Sequence, residues 1–235
     1  MKLKWRGEGG QHKGARPYQE DSWALRTLPD GALLAVVADG MGGHAGGAVA
    51  SKVVVDTFVE AVEAGKGLKD GLVEANDAVR DNAARDASLT GMGSTLVAAR
   101  IKDDELSWVS VGDSPLYLVS GRKVERLNAD HSMAPHIDAL VRRGVISREE
   151  AAHHPGRHTL REAVMGEPLK LVDEGSRRLD AGSTLLLCSD GVESLPHERI
   201  VDTVGRSAGG LIDAVLAMKR PHQDNVTIIK LVQKS

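Results

Sequence analysis

The sequence predicts an α+β domain whose antiparallel sheets are covered by helices. Three observations carry that expectation. Short β-branched apolar runs end on aspartate, two long stretches between the early strands have a helical period, and from residue 93 the period returns to two. The run ALLAVVA, Ala32 to Ala38, is short, β-branched and followed by Asp-Gly, and so reads as a buried strand after the strand-like SWALRTL. From Gly47 the period is helical: Ala50, Val53, Val54, Thr57, Phe58, Ala61 and Val62 share one stripe, which Gly65 and Gly67 end. A second amphipathic helix is expected from Leu68 to about Asp86, with Leu72, Ala75, Val79 and Ala83 inward.

The segments GSTLVAARI (93–101), ELSWVSV (105–111) and PLYLVS (115–120) then read as consecutive antiparallel strands. KDD joins the first pair, GDS the second, and Gly121-Arg122 turns the chain after the third. A polar, histidine-dotted stretch follows, Asn128 to about Val172. It holds two short helices (Ile137 to Arg143, Arg148 to His153) and is the best candidate for a mobile flap. A buried strand TLLLCSD (184–190), a helix near 207–218 and a last strand NVTIIKLV (225–232) complete the pattern.

A length of 235 residues suits one domain, 1–235, with its own core. Hydrophobic residues at 41% and charged residues at 27% match a soluble globular chain, and only 3% aromatics require a core of aliphatic side chains. A net charge of −3 without blocks of like charge gives no reason to expect nucleic acid or an anionic membrane as partner. MKLKWRGEGG lacks the apolar stretch of a secretory signal, and no run approaches a membrane span. One cysteine, Cys188, allows no internal disulfide. A cytoplasmic monomer is expected.

Three apolar runs finish on aspartate, at Asp39, Asp113 and Asp190, and a fourth, Asp224, opens the last run. Each alone fits an ordinary turn. If several of these strand ends share one edge of a sandwich, their carboxylates converge and raise one another's pKa. No lysine or arginine adjoins Asp39, Asp113 or Asp190. Hard divalent cations are the natural remedy, since oxygen ligands suit Mg2+ or Mn2+ and two such ions template phosphoryl transfer. In RPYQED, Arg16 precedes Glu20 and Asp21, either as a solvated charged loop or as an arginine fork for phosphate beside further acids.

RPYQED, VADGMGGHAGG, GMGSTLVAA, VGDSPLYL, DHS, CSDG and QDNVTII stand in the order and approximate spacing of the metal-dependent protein phosphatases. From Gly14 to Val232 the chain resembles this family (protein phosphatase 2C, or PPM) in its compact bacterial form. The resemblance implies a four-layer α-β-β-α sandwich, two antiparallel β-sheets flanked by helices, with a dinuclear Mn2+ or Mg2+ centre at one end. It implies that Asp39 bridges both ions and that the Gly40 carbonyl binds one of them. Asp190 and Asp224 would ligate the other ion, and Glu20 and Asp21 would be ligands or would hold metal-bound water. Asp113 would join Asp190 on a third, weaker ion, and Arg16 would bind phosphate. The implied activity is hydrolysis of phosphoserine and phosphothreonine in proteins by direct attack of a metal-bridging water, without a phosphoenzyme. Its substrates would be those of a serine/threonine kinase.

An acid should protonate the leaving alkoxide. His44 is the local candidate, although in the eukaryotic branch the corresponding histidine directly follows Asp-Gly, where Met41 stands here. A structural loop histidine and a metal-bound water are the other readings. Gln19 stands where bacterial members usually have Asn, Pro115 where Arg is common, and REAVMG (161–166) follows the family's pattern only loosely. None of these departures removes an expected metal ligand.

Other chemistries fit less well. A cysteine phosphatase needs an arginine six positions after its nucleophile, and from Cys188 that position is Ser194, so Cys188 reads as a core residue. The glycines of GMGGHAGG match neither a P-loop nor a dinucleotide fingerprint. His131, His136, His153, His154 and His158 lack zinc spacing and read as exposed flap residues. Two rivals stand: a metal-dependent phosphoesterase on non-protein substrates, and a weakly active module that binds phosphorylated proteins.

Overall fold

A computed structural model of the chain describes residues 4–42 and 45–233. In chain order the elements are β1 (Trp5–His12), β2 (Asp21–Thr27), β3 (Leu33–Met41), α1 (Ala45–Glu63) and α2 (Leu68–Arg85). There follow β4 (Gly93–Ser94), β5 (Leu96–Lys102), β6 (Glu105–Val111), β7 (Leu116–Ser120) and β8 (Lys123–Arg126). After them come α3 (Ala134–Arg142), α4 (Arg148–Ala152), β9 (Asp173–Arg178), β10 (Thr184–Cys188), α5 (His197–Thr203), α6 (Ala208–Leu216) and β11 (Val226–Gln233).

Two antiparallel sheets form. One has the order β1-β11-β10-β7-β8, and the other β2-β3-β5-β6-β9 with β4 beside β3. They stack face to face, with α1 and α2 outside the second sheet and α5 and α6 outside the first. The α+β class and the α-β-β-α layering both hold.

Strand parity explains the layers. On β3, Leu34, Val36 and Ala38 pack beneath the helices, while Ala35 and Val37 pack between the sheets. On β10, Leu185 and Leu187 face the other sheet, and Leu186 and Cys188 face α5 and α6. A strand covered on both faces is apolar at every position, which is why these runs do not alternate. Cys188 is fully buried and its thiol is pushed up by burial, as a core residue's should be. No helix among the described residues is long and apolar enough to cross a membrane.

Strands β5 and β6 pair as expected, and Ser120 pairs with Lys123 across the Gly121 turn. The expected β6–β7 hairpin does not form. β6 pairs with β9 and β7 with β10, so the GDS connection carries the chain from one sheet to the other. Gly112 takes a left-handed φ of 98° at this crossing, and the Thr95 side chain lies 2.6 Å from where a Cβ would stand. A short polar connection looks like a hairpin in sequence whether its strands pair or part.

Three strands had no clear signal. β1 reads WRGEGGQH, and its glycines make room for larger neighbours: a Cβ on Gly9 would stand 2.6 Å from the Trp23 ring. β9 reads DEGSRR and is a charged edge strand whose Gly175 lies under Trp108. β8, KVER, is short and partly exposed.

Phe58 is fully buried in α1 and touches α2 at Gly71. Phe58→Ala should lower the unfolding free energy by about 3–5 kcal/mol. Val73→Ala, at a half-exposed position, should change it by less than about 0.5 kcal/mol. Urea titration of both variants measures the contrast.

Candidate metal centre

The parity that buries β3 also aims its terminal acid. Ala35 and Val37 face the space between the sheets, so Asp39, two residues on, points to the end of that space. Asp21 lies directly opposite Asp39 in the β2–β3 register and shares its face. From the other sheet, Asp190 follows β10 and Asp224 precedes β11. Asp113 sits on the crossing between β6 and β7. Arg16, Asp39, Gly40, Asp113, Asp190 and Asp224 thus come to line one cavity of about 680 Å3, with Glu20 also in its wall. Asp21 lies just beneath, accepting hydrogen bonds from Ser189 Oγ (2.8 Å) and Thr227 Oγ1 (2.6 Å) of the opposite sheet.

The structure therefore brings together all the expected site residues except His44. His44 lies outside the described residues. The glycines around it act mainly by letting backbone approach closely. A Cβ on Gly40 would stand 2.1 Å from the Gly47 carbonyl, and one on Gly47 would stand 2.5 Å from Glu20 Oε1. Bare backbone here lets the start of α1 press against the end of β3 and the Glu20 side chain.

Negative charge in this cavity is under-compensated. Burial pushes the Asp39 carboxyl well up, and Asp21, Asp190, Asp113 and Asp224 add to the effect in that order. Asp113 is pushed up to about 8 by burial, then by Asp190, Glu193 and Asp130, with Arg126 opposing. Burial takes Asp21 up to about 7 despite the donors on it. Asp190 is raised by burial and then by Asp224, against His158, a hydrogen bond with Asp39, and Arg16. Glu20 Oε1, Asp21 Oδ1 and Asp190 Oδ1 are buried without a hydrogen-bond partner. Arg16 stands at the rim and donates from Nη2 to Asp224 Oδ2 at 2.6 Å, with both side chains substantially exposed. Arg161 also lines the cavity, and Arg126 donates to the Asp113 carbonyl at 2.6 Å.

Buried carboxylate oxygens with no donor are costly, and hard cations satisfy them with the ligand chemistry they prefer. The donor set, all carboxylate and carbonyl oxygen, fits Mg2+ or Mn2+ rather than a thiolate- or imidazole-seeking ion. Among the described residues no three of these side chains close around a single point as a cage. Arg16 holds one oxygen of Asp224, and Ser189 and Thr227 hold one of Asp21.

Several supporting residues had no signal in sequence. Asn225 accepts from the Glu20 N–H at 2.7 Å and donates to the Lys13 and Tyr18 carbonyls, tying the loop of Arg16 to the start of β11. Thr95 Oγ1 accepts from the Asp39 N–H at 3.0 Å and bonds Ser114 Oγ at 2.7 Å, joining the end of β3 to the crossing. His131 corrects the expectation of exposed flap histidines. It is buried, and its Nδ1 accepts from the Gly112 N–H while its backbone N–H donates to the Gly112 carbonyl. Burial lowers its pKa, which favours the neutral ring that this acceptor role needs. The segment after it folds back over the cavity, where His158, Leu160, Ala163 and Met165 form a wall opposite the acids.

Comparison with known proteins agrees with this geometry. The family described as protein phosphatase 2C matches residues 6–214. The serine/threonine phosphatase stp of Listeria welshimeri is 32% identical over 94% of this chain and 92% of its own. The crystal structure of the serine/threonine phosphatase Stp1 from Staphylococcus aureus superposes with a TM-score of 0.87 at 28% identity, covering 100% of this chain and 98% of that one. The catalytic domain of the serine threonine protein phosphatase PstP, solved in complex with two manganese ions, gives 0.81 at 29% identity over 99% of this chain and 100% of that one. Agreement of this extent, in sequence and in fold, shows that the chain belongs to the protein phosphatase 2C family.

Proposed function

We propose that the chain is a metal-dependent serine/threonine phosphatase that hydrolyses phosphoserine and phosphothreonine in proteins. The observation that carries this reading is the set of buried, donor-less carboxylate oxygens around Asp39, with Arg16 at the rim. Relatives named as serine/threonine phosphatases, one of them holding two manganese ions, support it.

In this reading Asp39, the Gly40 carbonyl, Asp190 and Asp224 would hold two Mn2+ or Mg2+ ions, with Glu20 and Asp21 as further ligands or as holders of metal-bound water. Asp113 and Asp190 would hold a third, weaker ion. Bound ions supply the positive charge that offsets the phosphoryl oxygens, and they acidify water to a nucleophile at neutral pH. The chain's own part is positioning. Arg16, anchored by Asp224, presents its planar fork at the mouth of the cavity and orients the phosphate for in-line displacement. Thr95 and Asn225 fix the backbone at Asp39 and Glu20, so the acids need no rearrangement when substrate arrives. The wall of 158–165 excludes water from one side, and 128–172 acts as a flap on a single catalytic domain, 1–235. His44 would donate the proton to the leaving oxygen. The protein would work as a cytoplasmic monomer.

Turnover of p-nitrophenyl phosphate should require Mn2+ and stop in EDTA, and Asp39→Asn should lower it by about 100-fold or more. Wild-type activity in EDTA or in Asp39→Asn would refute the metal reading. A panel of phosphopeptides, sugar phosphates and nucleotides separates a protein phosphatase from a general phosphoesterase, with phosphopeptides expected to give the highest kcat/KM.

The raised carboxyl groups predict a pH effect on the metal-free protein. Asp21 and Asp113, at about 7 and about 8, hold protons that an unfolded chain releases near pH 4. The folded state therefore binds more protons through this window, and stability falls as pH rises from roughly 4 to 8. In EDTA, Tm should be several degrees lower at pH 8 than at pH 5, and Mn2+ should recover most of the loss at pH 8. A metal-free Tm that rises with pH would contradict this.

A further inference from the structure

The rim beside Arg16 carries cations that the reaction itself does not use. Two loops build it. The end of β1 and the connection to β2 hold His12, Lys13 and Arg16, and the connection between α6 and β11 holds Lys219, Arg220 and His222. The acids of the two connections, Glu20 and Asp224, both face the cavity, which leaves 12–18 and 217–223 without an acid in a protein whose net charge is −3. The loops are joined: the Ala15 N–H donates to the Gln223 carbonyl at 2.8 Å, and Asn225 Nδ2 donates to the Lys13 carbonyl at 2.9 Å. Gly14 lies against the Asp224 backbone so closely that a Cβ would stand 2.2 Å from its carbonyl oxygen.

All six basic residues are exposed. Lys13, Lys219 and Arg220 form no ion pair among the described residues, whereas Arg100 and Lys102, at the opposite end of β5, both pair with Asp30. Lys219 and His222 also hold left-handed backbone, with φ of 49° and 63°. Glycine takes that conformation without steric cost, so the turn geometry by itself gives no reason for cationic side chains there.

We infer that this basic rim docks anionic side chains next to the phosphorylated residue, so that the preferred substrates carry Asp, Glu or a second phosphate close to the scissile group. The inference rests on the phosphatase reading and narrows its substrate class. Charge complementarity selects the occupant: Lys13, Lys219 and Arg220, without an ion-pair partner among the described residues, stand on loops that abut Asp224 in the wall of a cavity whose interior is strongly negative. The phosphate is drawn inward to the metal centre, and a neighbouring carboxylate is repelled by the acids but attracted by the rim. Lys13 is three residues from Arg16, a reach of at most about 11 Å, which an extended peptide covers in about three residues.

The test uses the Mn2+-loaded protein and four phosphothreonine peptides that differ only in their flanks: alanine, aspartate, lysine or a second phosphothreonine. At low salt, kcat/KM should be about 10-fold higher for the aspartate and doubly phosphorylated peptides than for the alanine peptide, mainly through KM. The advantage should shrink at high ionic strength. Lys219→Glu with Arg220→Glu should reverse the order in favour of the lysine peptide, and Lys13→Glu, on the other loop, should weaken the acidic preference independently. The ratio between peptides within one variant does not depend on how much of that variant is folded. Equal kcat/KM for all flanks in the wild type, or an acidic preference that survives charge reversal, overturns the docking surface. Turnover of p-nitrophenyl phosphate without turnover of any phosphopeptide overturns the protein-substrate reading and the docking surface with it.

Discussion

Carboxylates gathered at the end of a β-sandwich, away from bulk water and without matching donors, are the constraint on which the rest of this structure depends. Asp21, Asp39, Asp113 and Asp190 each have a pKa raised first by burial, and for all four other acids of the cluster add to the effect. Such a cluster works against folding unless positive charge arrives or protons stay bound. Arg16 at its edge is too exposed to do that for the whole group. What destabilises the metal-free protein is also what would draw divalent ions into it.

The scaffold resists that repulsion by tying both sheets to the acids. Asp21 belongs to one sheet and takes its hydrogen bonds from Ser189 and Thr227 at the edge of the other. Asn225 and Thr95 do the same for backbone, joining the loop of Arg16 to β11 and the end of β3 to the crossing between sheets. His131 locks that crossing to the segment that forms the far wall, since its carbonyl also accepts from the Arg161 N–H. Acids, crossing and wall are therefore one connected network, and a change at any of these polar residues reaches the cavity.

Around this centre the surface divides by charge. The cavity interior is acidic, the wall of 158–165 mixes Leu160, Ala163 and Met165 with His158, Arg161 and Glu162, and the loops 12–18 and 217–223 beside Arg16 are basic. On the proposed function, a phosphoprotein approaching the site would meet attraction at the rim before its phosphate reached the acids.

The helical and strand segments, and the aspartates that end the apolar runs, are legible in the sequence alone. Apolar runs such as ALLAVVA and TLLLCSD are continuous because both faces of β3 and β10 are covered, and their terminal aspartates follow from strand parity. Local pattern could not determine pairing. The GDS connection reads as a hairpin, yet it passes between sheets, because β6 and β7 each take a second partner, β9 and β10, more than 60 residues further along the chain. Strands built on glycine or charge, β1 and β9, were illegible for a related reason: large neighbours such as Trp23 and Trp108 fill the space that their own side chains leave empty. That the acids share one cavity, that some of their oxygens lack donors, and that two basic loops distant in sequence meet beside Arg16 is visible only in the folded chain. Convergence and desolvation belong to the packed arrangement of strands, not to any segment of chain.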